Sequence, residues 1–384
     1  MAMLGPYKAI MSNGNRQIRY VGNNVFESIE NVTSSVFTEE IGQKRLAQIV
    51  NDERFRYIQI IDNLVFNSAV KYFENLNAEW CNLPLTTLMI SSPGEMYRGK
   101  KLNYTTDSLP VQIDWFDLDR KIFLSESSQF YLELRLLQEK TEKVFSIYNS
   151  FRKDKADFSH LSEFQHVEFE GKITYEENIQ IALGLLDFIT NYIFEHGKES
   201  LNFFLTEKEI EVLPRIFKID NVARISFKDA LQALYKDTGD EAYKNFSLEQ
   251  FGSWEEIRLT ELLGKHVIVE HFPLMEIPFY HNEFIKDENG VSLSESADII
   301  LSGYRESIGT GVRIKDFEAL KEKARIFNLP VEDYSSYLEM RKLPCYQKTA
   351  GFGLGWQRYV HWLLKLPHIW DATLIPRGHV LPKP

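Results

Sequence analysis

Apolar residues recur along the chain with the two periods that separate helices from strands. Ile60, Ile61, Leu64, Val65, Ala69, Val70 and Phe73 fall three and four apart, which gives a helix over 57–74 one apolar face. Pro84 then interrupts a short extended run. Segments 111–117 and 121–125 read as strands, and Ser127–Gln138 returns to helical spacing. Segments 144–152 and Phe164–Glu170, joined by the polar loop 153–159, make a long hairpin. Thr174 with Glu177, and Thr206 with Glu209, have capping-box spacing, in which hydroxyl and carboxylate satisfy each other's free backbone N–H groups. The first box opens a helix over 175–195. Phe227–Tyr235 and Asp316–Phe327 read as helices, and Val267–Phe272, Asp298–Leu301 and Ser307–Arg313 as strands. Gly351–Gly355 is a glycine-spaced strand running into a helix over Trp356–Lys365. Strands and helices intersperse without regular alternation, which predicts an α+β fold on an antiparallel sheet. Residues 1–50 are polar and weakly periodic. They read as an N-terminal extension ahead of one domain over 51–384.

The chain has 384 residues, 44% of them hydrophobic, enough for a large core. Its net charge of -11, with no basic stripe, lowers the expectation of broad contact with nucleic-acid phosphates. Cys81 and Cys345 are too few for a disulfide scaffold or a four-cysteine zinc site and read as reduced thiols. Asn13, Asn15, Arg16 and Arg19 leave no apolar core for a signal peptide. Asp187 and Asn191 break the most apolar stretch, Ile179–Phe194, so no membrane span is expected. These features point to a soluble, cytoplasmic protein.

Four constellations can carry chemistry, and each has a plainer reading. Arg152 and Asp154 are two apart, hence on one side of a strand, with His160 and Phe164 across the loop. An arginine so placed can grip a phosphate or carboxylate, or it can form a surface ion pair. Gly351, Gly353 and Gly355 strip one strand face, so a flat ring can lie on the backbone and Arg358 can reach it; the plain reading is a tight strand–helix junction. Neither a phosphate-binding Gly-Lys-Ser/Thr loop nor a dinucleotide fingerprint is present there. Asp298 and Glu306, followed by Arg313, can hold Mg²⁺ or can be solvated loop charges. Gln129 and Glu133 share a helix face and can hold an ammonium or an amide, or simply face solvent. His166, His266, His271 and His281 lack metal-ligand spacing and read as ordinary hydrogen-bonded or surface histidines.

In this order and spacing, the constellations resemble the catalytic core of class II aminoacyl-tRNA synthetases, and within them the asparaginyl group. The likeness runs from about residue 57 to the C-terminus. The 57–74 helix with Pro84 is similar to the first class II motif, Phe151-Arg152-Lys153-Asp154 through Phe164 to the second, and Gly351 to Arg358 to the third. Phe279-Tyr280, Tyr337 to Lys342 and His368 to Asp371 with Pro376-Arg377 also match the asparaginyl pattern. The resemblance implies ATP and Mg²⁺ as cofactors and a homodimer through the first motif. It implies that Arg152 holds the α-phosphate and reacting carboxylate, that Asp154 lies near the adenine, and that His160 and Phe164 contact the phosphates and the adenine ring. It places Asp298 and Glu306 on Mg²⁺, Arg358 on the far end of ATP, Gly353 and Gly355 beneath the nucleotide, and Gln129, Glu133 and Arg313 around the amino acid. Arg152, Glu306 and Arg358 are the expected catalytic set.

The chain also departs from the family. Leu132 stands where aspartyl members carry lysine, which favours asparagine or a close neutral analogue. Only about fifty residues precede the first motif, fewer than the roughly hundred that an anticodon-binding OB-fold needs. The loop from Lys153 to Ser159 is one residue shorter than usual, with Ser159 where arginine is frequent. Gln357 replaces a glutamate, Thr310 and Gly311 replace Gly-Ser, and Thr349 stands where a pocket histidine is common. The expected function is therefore formation of an aminoacyl-adenylate and its transfer to ammonia, an amine or another small acceptor, with tRNA doubtful. Charging of tRNA without anticodon recognition is the alternative.

Overall fold

A computed structural model describes residues 5–91, 110–116, 121–153, 157–378 and 380. The expected α+β architecture is present. Along the chain come the hairpin β1 (Tyr7–Ser12) and β2 (Asn15–Tyr20), then helices α1 (Glu39–Asn51) and α2 (Glu53–Asn75). Strands β3 (Glu79–Trp80), β4 (Thr86–Thr87), β5 (Val111–Ile113) and β6 (Ile122–Leu124) lead to α3 (Gln129–Arg135). The long hairpin is β7 (Lys143–Phe151) and β8 (Glu163–Gly171), followed by α4 (Tyr175–His196). Next are α5 (Lys198–Phe204), α6 (Glu207–Val212), β9 (Val222–Ser226), α7 (Phe227–Thr238), α8 (Ser253–Leu263) and β10 (His266–Glu270). The chain continues through β11 (Glu283–Lys286), β12 (Ser292–Ser294), β13 (Ser296–Ile300) and β14 (Glu306–Val312). It ends with α9 (Phe317–Ile326), α10 (Ser335–Glu339), β15 (Ala350–Gly355) and α11 (Trp356–Leu363).

Eight strands form the central sheet in the order β3-β7-β8-β15-β14-β13-β10-β9. Its interior pairs are antiparallel, while β3 on β7 and β9 on β10 are parallel. Alternation along the strands gives the sheet two different faces. On one, Phe145, Phe169 and Phe352 stand in register across β7, β8 and β15. Phe73 of α2 covers this row, its ring 4.6 Å from Phe145 and 5.6 Å from Phe169. The apolar period read over 57–74 is the face that makes this contact. Helix α4 packs beside it, opened by the Thr174–Glu177 capping box, and Asn178 donates to the Gly351 carbonyl at 3.0 Å. The second capping box, Thr206–Glu209, opens α6.

Residues 5–51 are stitched to the core. Tyr7, Ile18, Tyr20 and Val32 are buried in the main apolar cluster. The Tyr7 hydroxyl donates to Pro367 O at 3.0 Å and lies 2.6 Å from His361 Nε2, while Tyr304 meets Nδ1 of the same ring at 2.8 Å. Buried Arg45 donates to the Trp370 and Thr373 carbonyls and pairs with Asp371. The boundary expected at residue 50 falls inside α1. Among the described residues no helix is long and apolar enough to cross a membrane.

Candidate active site

The other face of the central sheet is the floor of a cleft of about 440 Å³. The register explains its shape. Glu168, Gly353, Gly309 and Asp298 stand in one row across β8, β15, β14 and β13. One step along, Glu170, Gly351, Gly311 and Ser296 form the next row. Two adjacent strands thus carry glycine in both rows, so the middle of the sheet presents bare backbone between flanking polar side chains. In the first row the floor is open, and Gly353 and Gly309 line the cleft. In the second it is covered. A Cβ on Gly351 would lie 2.0 Å from Glu170 Oε2, and one on Gly311 would lie 2.1 Å from His281 Nδ1.

At the open end, Arg152 leaves β7 with its backbone N–H bonded to Ser162 O, and its Nε lies 3.6 Å from buried Glu126. Phe164 and His166 project from β8, their rings edge to face at 4.9 Å. His166 bonds Ser150 at 2.8 Å. Burial, then the charges of Arg152 and Arg358, push its pKa down to about 3, so the ring is neutral. His160 is likewise lowered by burial and by Arg305, against the pull of Asp157 at 2.9 Å. Arg305 ties this corner together, donating to Ser159 at 2.7 Å and to Glu256 at 2.9 Å. Arg358, from α11, donates to Glu306 O at 2.9 Å and lies 3.3 Å from Glu306 Oε2.

Asp298 and Glu306 lean over the same bare backbone: a Cβ on Gly309 would lie 3.6 Å from Asp298 Oδ1 and 3.0 Å from Glu306 Oε1. Burial, then the charges of Glu306 and Glu256, raise the Asp298 carboxyl well above the usual range. A divalent cation relieves that repulsion, and Mg²⁺ commonly takes only one or two carboxylates with substrate phosphates completing its shell. The donor set fits that ion. Among the described residues no cluster of three or more His, Cys, Asp or Glu offers a self-sufficient metal cage.

At the covered end, Gln129, Glu168, Tyr280, His281, Thr310 and Arg313 line the cleft. Arg313 binds Glu170 through Nε and Nη2, the latter at 2.7 Å, with both side chains buried. Burial raises the Glu170 carboxyl to about 7, against the pull of Arg313. Ser127 donates to Glu168 Oε1 at 2.6 Å, while Gln129 Oε1 and Glu168 Oε2 are buried without a hydrogen-bond partner.

The structure therefore gathers Arg152, His160, Phe164, Asp298, Glu306, Gly353, Gly355, Arg358, Gln129 and Arg313 around one cleft. Asp154 lies outside the described residues. Glu133 does not line the cleft. It points beneath it, where Arg341 Nη2 donates to Oε2 at 2.7 Å, Tyr337 to Oε1 at 2.7 Å and Gln129 Nε2 to Oε1 at 2.5 Å. Fully buried and enclosed by donors, it holds Gln129 instead of facing a ligand. His166 and His281, expected to be ordinary histidines, both line the cleft. Glu168, Glu256 and Arg305 were not foreseen. For Glu168 the signal was available, because it follows Phe164 and His166 at strand period on one face. Glu256 sits on a helix far from any of the motifs and gave none.

The family model described as tRNA synthetases class II (D, K and N) matches residues 23–379. An asparagine–tRNA ligase from Lactobacillus delbrueckii subsp. bulgaricus is 29% identical over 323 residues, covering 83% of this chain and 68% of the relative. A probable cytoplasmic asparagine–tRNA ligase from Encephalitozoon cuniculi is 31% identical over 275 residues, 69% of this chain and 58% of the relative. The chain thus spans from under three fifths to about two thirds of the length of these curated relatives. Asparaginyl-tRNA synthetase from Pyrococcus horikoshii, solved with asparaginyl-adenylate, shares the fold with a TM-score of 0.76 at 23% identity, over 93% of this chain and 78% of that one. With the family model matching nearly its whole length, and the three motifs meeting on one glycine-floored sheet, the chain belongs to the class II tRNA synthetases of the D, K and N group.

Proposed function

We propose that this chain is a ligase that activates asparagine, or a close neutral analogue, as an aminoacyl-adenylate and transfers the acyl group to tRNA. The observation that carries the reading is the bare glycine floor. It is flanked at one end by Arg152, Arg358 and the Asp298–Glu306 pair, and at the other by Gln129, Glu168 and Arg313. A nucleotide fits the first end and a small zwitterion the second.

The reaction is in-line attack of a carboxylate oxygen on the α-phosphorus of ATP, with rupture of the bond to the pyrophosphate oxygen. Little proton transfer is needed, so positioning and charge stabilisation carry it. Arg152 stands where it can neutralise the α-phosphate and align the attacking carboxylate. Phe164 offers a ring face to the adenine over Gly353 and Gly355. Arg358, fixed by the Glu306 carbonyl, points its remaining donors at the terminal phosphates, and His160 with Arg305 borders them. Mg²⁺ held by Asp298 and Glu306 would supply charge neutralisation on the phosphates.

Arg313 supports a neutral substrate. Its Nε and Nη2 are committed to Glu170, so it lacks the paired donors that grip a side-chain carboxylate. Its charge is already compensated, and Glu168 adds a nearby acceptor that repels a second carboxylate.

Each relative named above is a tRNA ligase, which favours tRNA over the small acceptor expected from the sequence. One observation supports the small acceptor: Ser159, where arginine is frequent in the family, turns inward to Arg305 and offers no cation to an incoming strand. ATP–pyrophosphate exchange over a panel of amino acids tests the activation step. Preferential exchange with aspartate would defeat the substrate assignment, and near-normal exchange by Arg152→Ala would defeat the site. Acid-precipitable label from amino acid and total tRNA decides the acceptor.

A further inference from the structure

The covered row of glycines gives the pocket an end wall, and one residue of that wall keeps its side chain out of the hydrogen-bond network among the described residues. His281 is only 8% exposed, and its ring lies over Gly311. A side chain at 311 and an imidazole at 281 exclude each other, since a Cβ there would lie 2.1 Å from Nδ1 and 2.2 Å from Cε1. The backbone around the ring is tied down. The His281 N–H bonds Pro278 O, its carbonyl accepts from buried Lys323 Nζ at 3.1 Å, and its backbone bridges Arg313, the residue after β14. The imidazole itself makes no hydrogen bond among the described residues, and Nδ1 is buried without a partner. A buried polar atom left unpaired is costly, and a bound group that pairs with the ring offsets that cost. Burial, then the charges of Arg313 and Lys323, keep the ring neutral.

We propose that His281, seated in the space left by Gly311, reads the side chain of the amino-acid substrate and sets the pocket for a short carboxamide. This rests on the amino-acid-activating reading above. A carboxamide offers an acceptor to the remaining Nη1 of Arg313 and two N–H donors, which match Glu168 Oε2 and an imidazole nitrogen of His281. A carboxylate offers acceptors alone and leaves both of those atoms unmatched. His281 is thus a specificity-determining residue, acting on the side chain and not on the reacting atoms.

The test uses the full chain with His281→Leu, which removes both nitrogens, His281→Asn, which keeps a hydrogen-bonding atom near Nδ1, and Gly311→Ala, which displaces the ring. In ATP–pyrophosphate exchange, His281→Leu and Gly311→Ala should lower kcat/KM for asparagine roughly tenfold or more through the amino-acid KM. The ATP KM should stay near wild type, the preference over aspartate should narrow, and His281→Asn should recover part of the loss. An unchanged asparagine-to-aspartate preference in a His281→Leu protein that melts like wild type would overturn the proposal. If wild type exchanges with no amino acid, the activity reading falls, but the proposal is still decided by ¹⁵N-histidine spectra. The signal missing from His281→Leu should shift with asparagine and not with aspartate, and a signal indifferent to both would overturn it.

Discussion

Asp62 on α2 accepts a hydrogen bond of 2.7 Å from the indole N–H of Trp356, the residue that opens α11 two positions before Arg358. The helix resembling the dimerisation motif is thereby joined to the helix that aims a cation into the cleft. Burial raises the Asp62 carboxyl to about 7, only partly offset by the indole. A raised folded-state value means that folding takes up a proton. The stabilising contribution is then full below the ordinary aspartate range and is lost as pH rises through about 7. Urea melts should show wild type losing stability between about pH 4 and 7, by up to about 4 kcal/mol for a shift of this size. Asp62→Asn should flatten that loss. Equal pH slopes in the two proteins would show that Asp62 titrates normally.

Gly351 and Gly353, two of the three glycines of β15, should respond in opposite ways. An alanine Cβ at 351 meets the Phe169 carbonyl at 2.3 Å as well as Glu170, and that carbonyl belongs to the β8 backbone. Gly351→Ala should therefore disrupt strand pairing and lower the melting temperature, at a cost of about 1–3 kcal/mol or more. At 353 the nearest atoms are those of Glu168 at 3.5 Å, an ordinary contact. Gly353→Ala should fold normally yet raise the ATP KM, because its methyl stands on the open floor. Calorimetry and exchange kinetics on the pair separate the two roles.

The buried Glu133–Arg341 pair should be costly to break from one side. Glu133→Leu alone leaves the Arg341 charge without its anionic partner, among the Tyr337 oxygens, the Ile314 carbonyl and the Tyr337 and Tyr346 rings, and should cost about 3–5 kcal/mol. Glu133→Leu with Arg341→Met should recover much of that stability. Because Gln129 Nε2 loses its anchor in both, the amino-acid KM should stay elevated even where the melting temperature returns. Recovery of both together would mean that Gln129 needs no such anchor.

Metal dependence offers a separate check. Chelation should abolish exchange, and Asp298→Asn should raise the Mg²⁺ concentration for half-maximal exchange by roughly tenfold or more, since it removes one of two anionic oxygens sources at that point. An unchanged requirement would place the ion elsewhere.

Much of this was legible along the chain because the informative residues are periodic. The helix read over 57–74 is the core of α2, the hairpin 144–152 and Phe164–Glu170 differs from β7 and β8 by a residue at either end, and both capping boxes form. The β1–β2 hairpin was missed because its pattern is weak by itself: Tyr7, Ile18 and Tyr20 become buried only against α8, α11 and the turn after it. Glu133 shows the opposite limit. Its helix position beside Gln129 was read correctly, but spacing cannot tell which of two neighbours turns to the cleft and which turns down. The deciding partner, Arg341, lies some two hundred residues away.

The bare floor has a consequence for how finely this site can be set. Where side chains form a binding surface, its depth follows rotamers and shifts by fractions of an ångström as they relax. Over Gly309 and Gly353 depth is fixed by two strands held in three hydrogen-bonded ladders, among the stiffest parts of a protein. A planar ligand resting there takes its height from the main chain. Variation in substrate is then left to the rim, where His281, Arg313 and Glu168 can change without tilting the plane on which the chemistry is laid out.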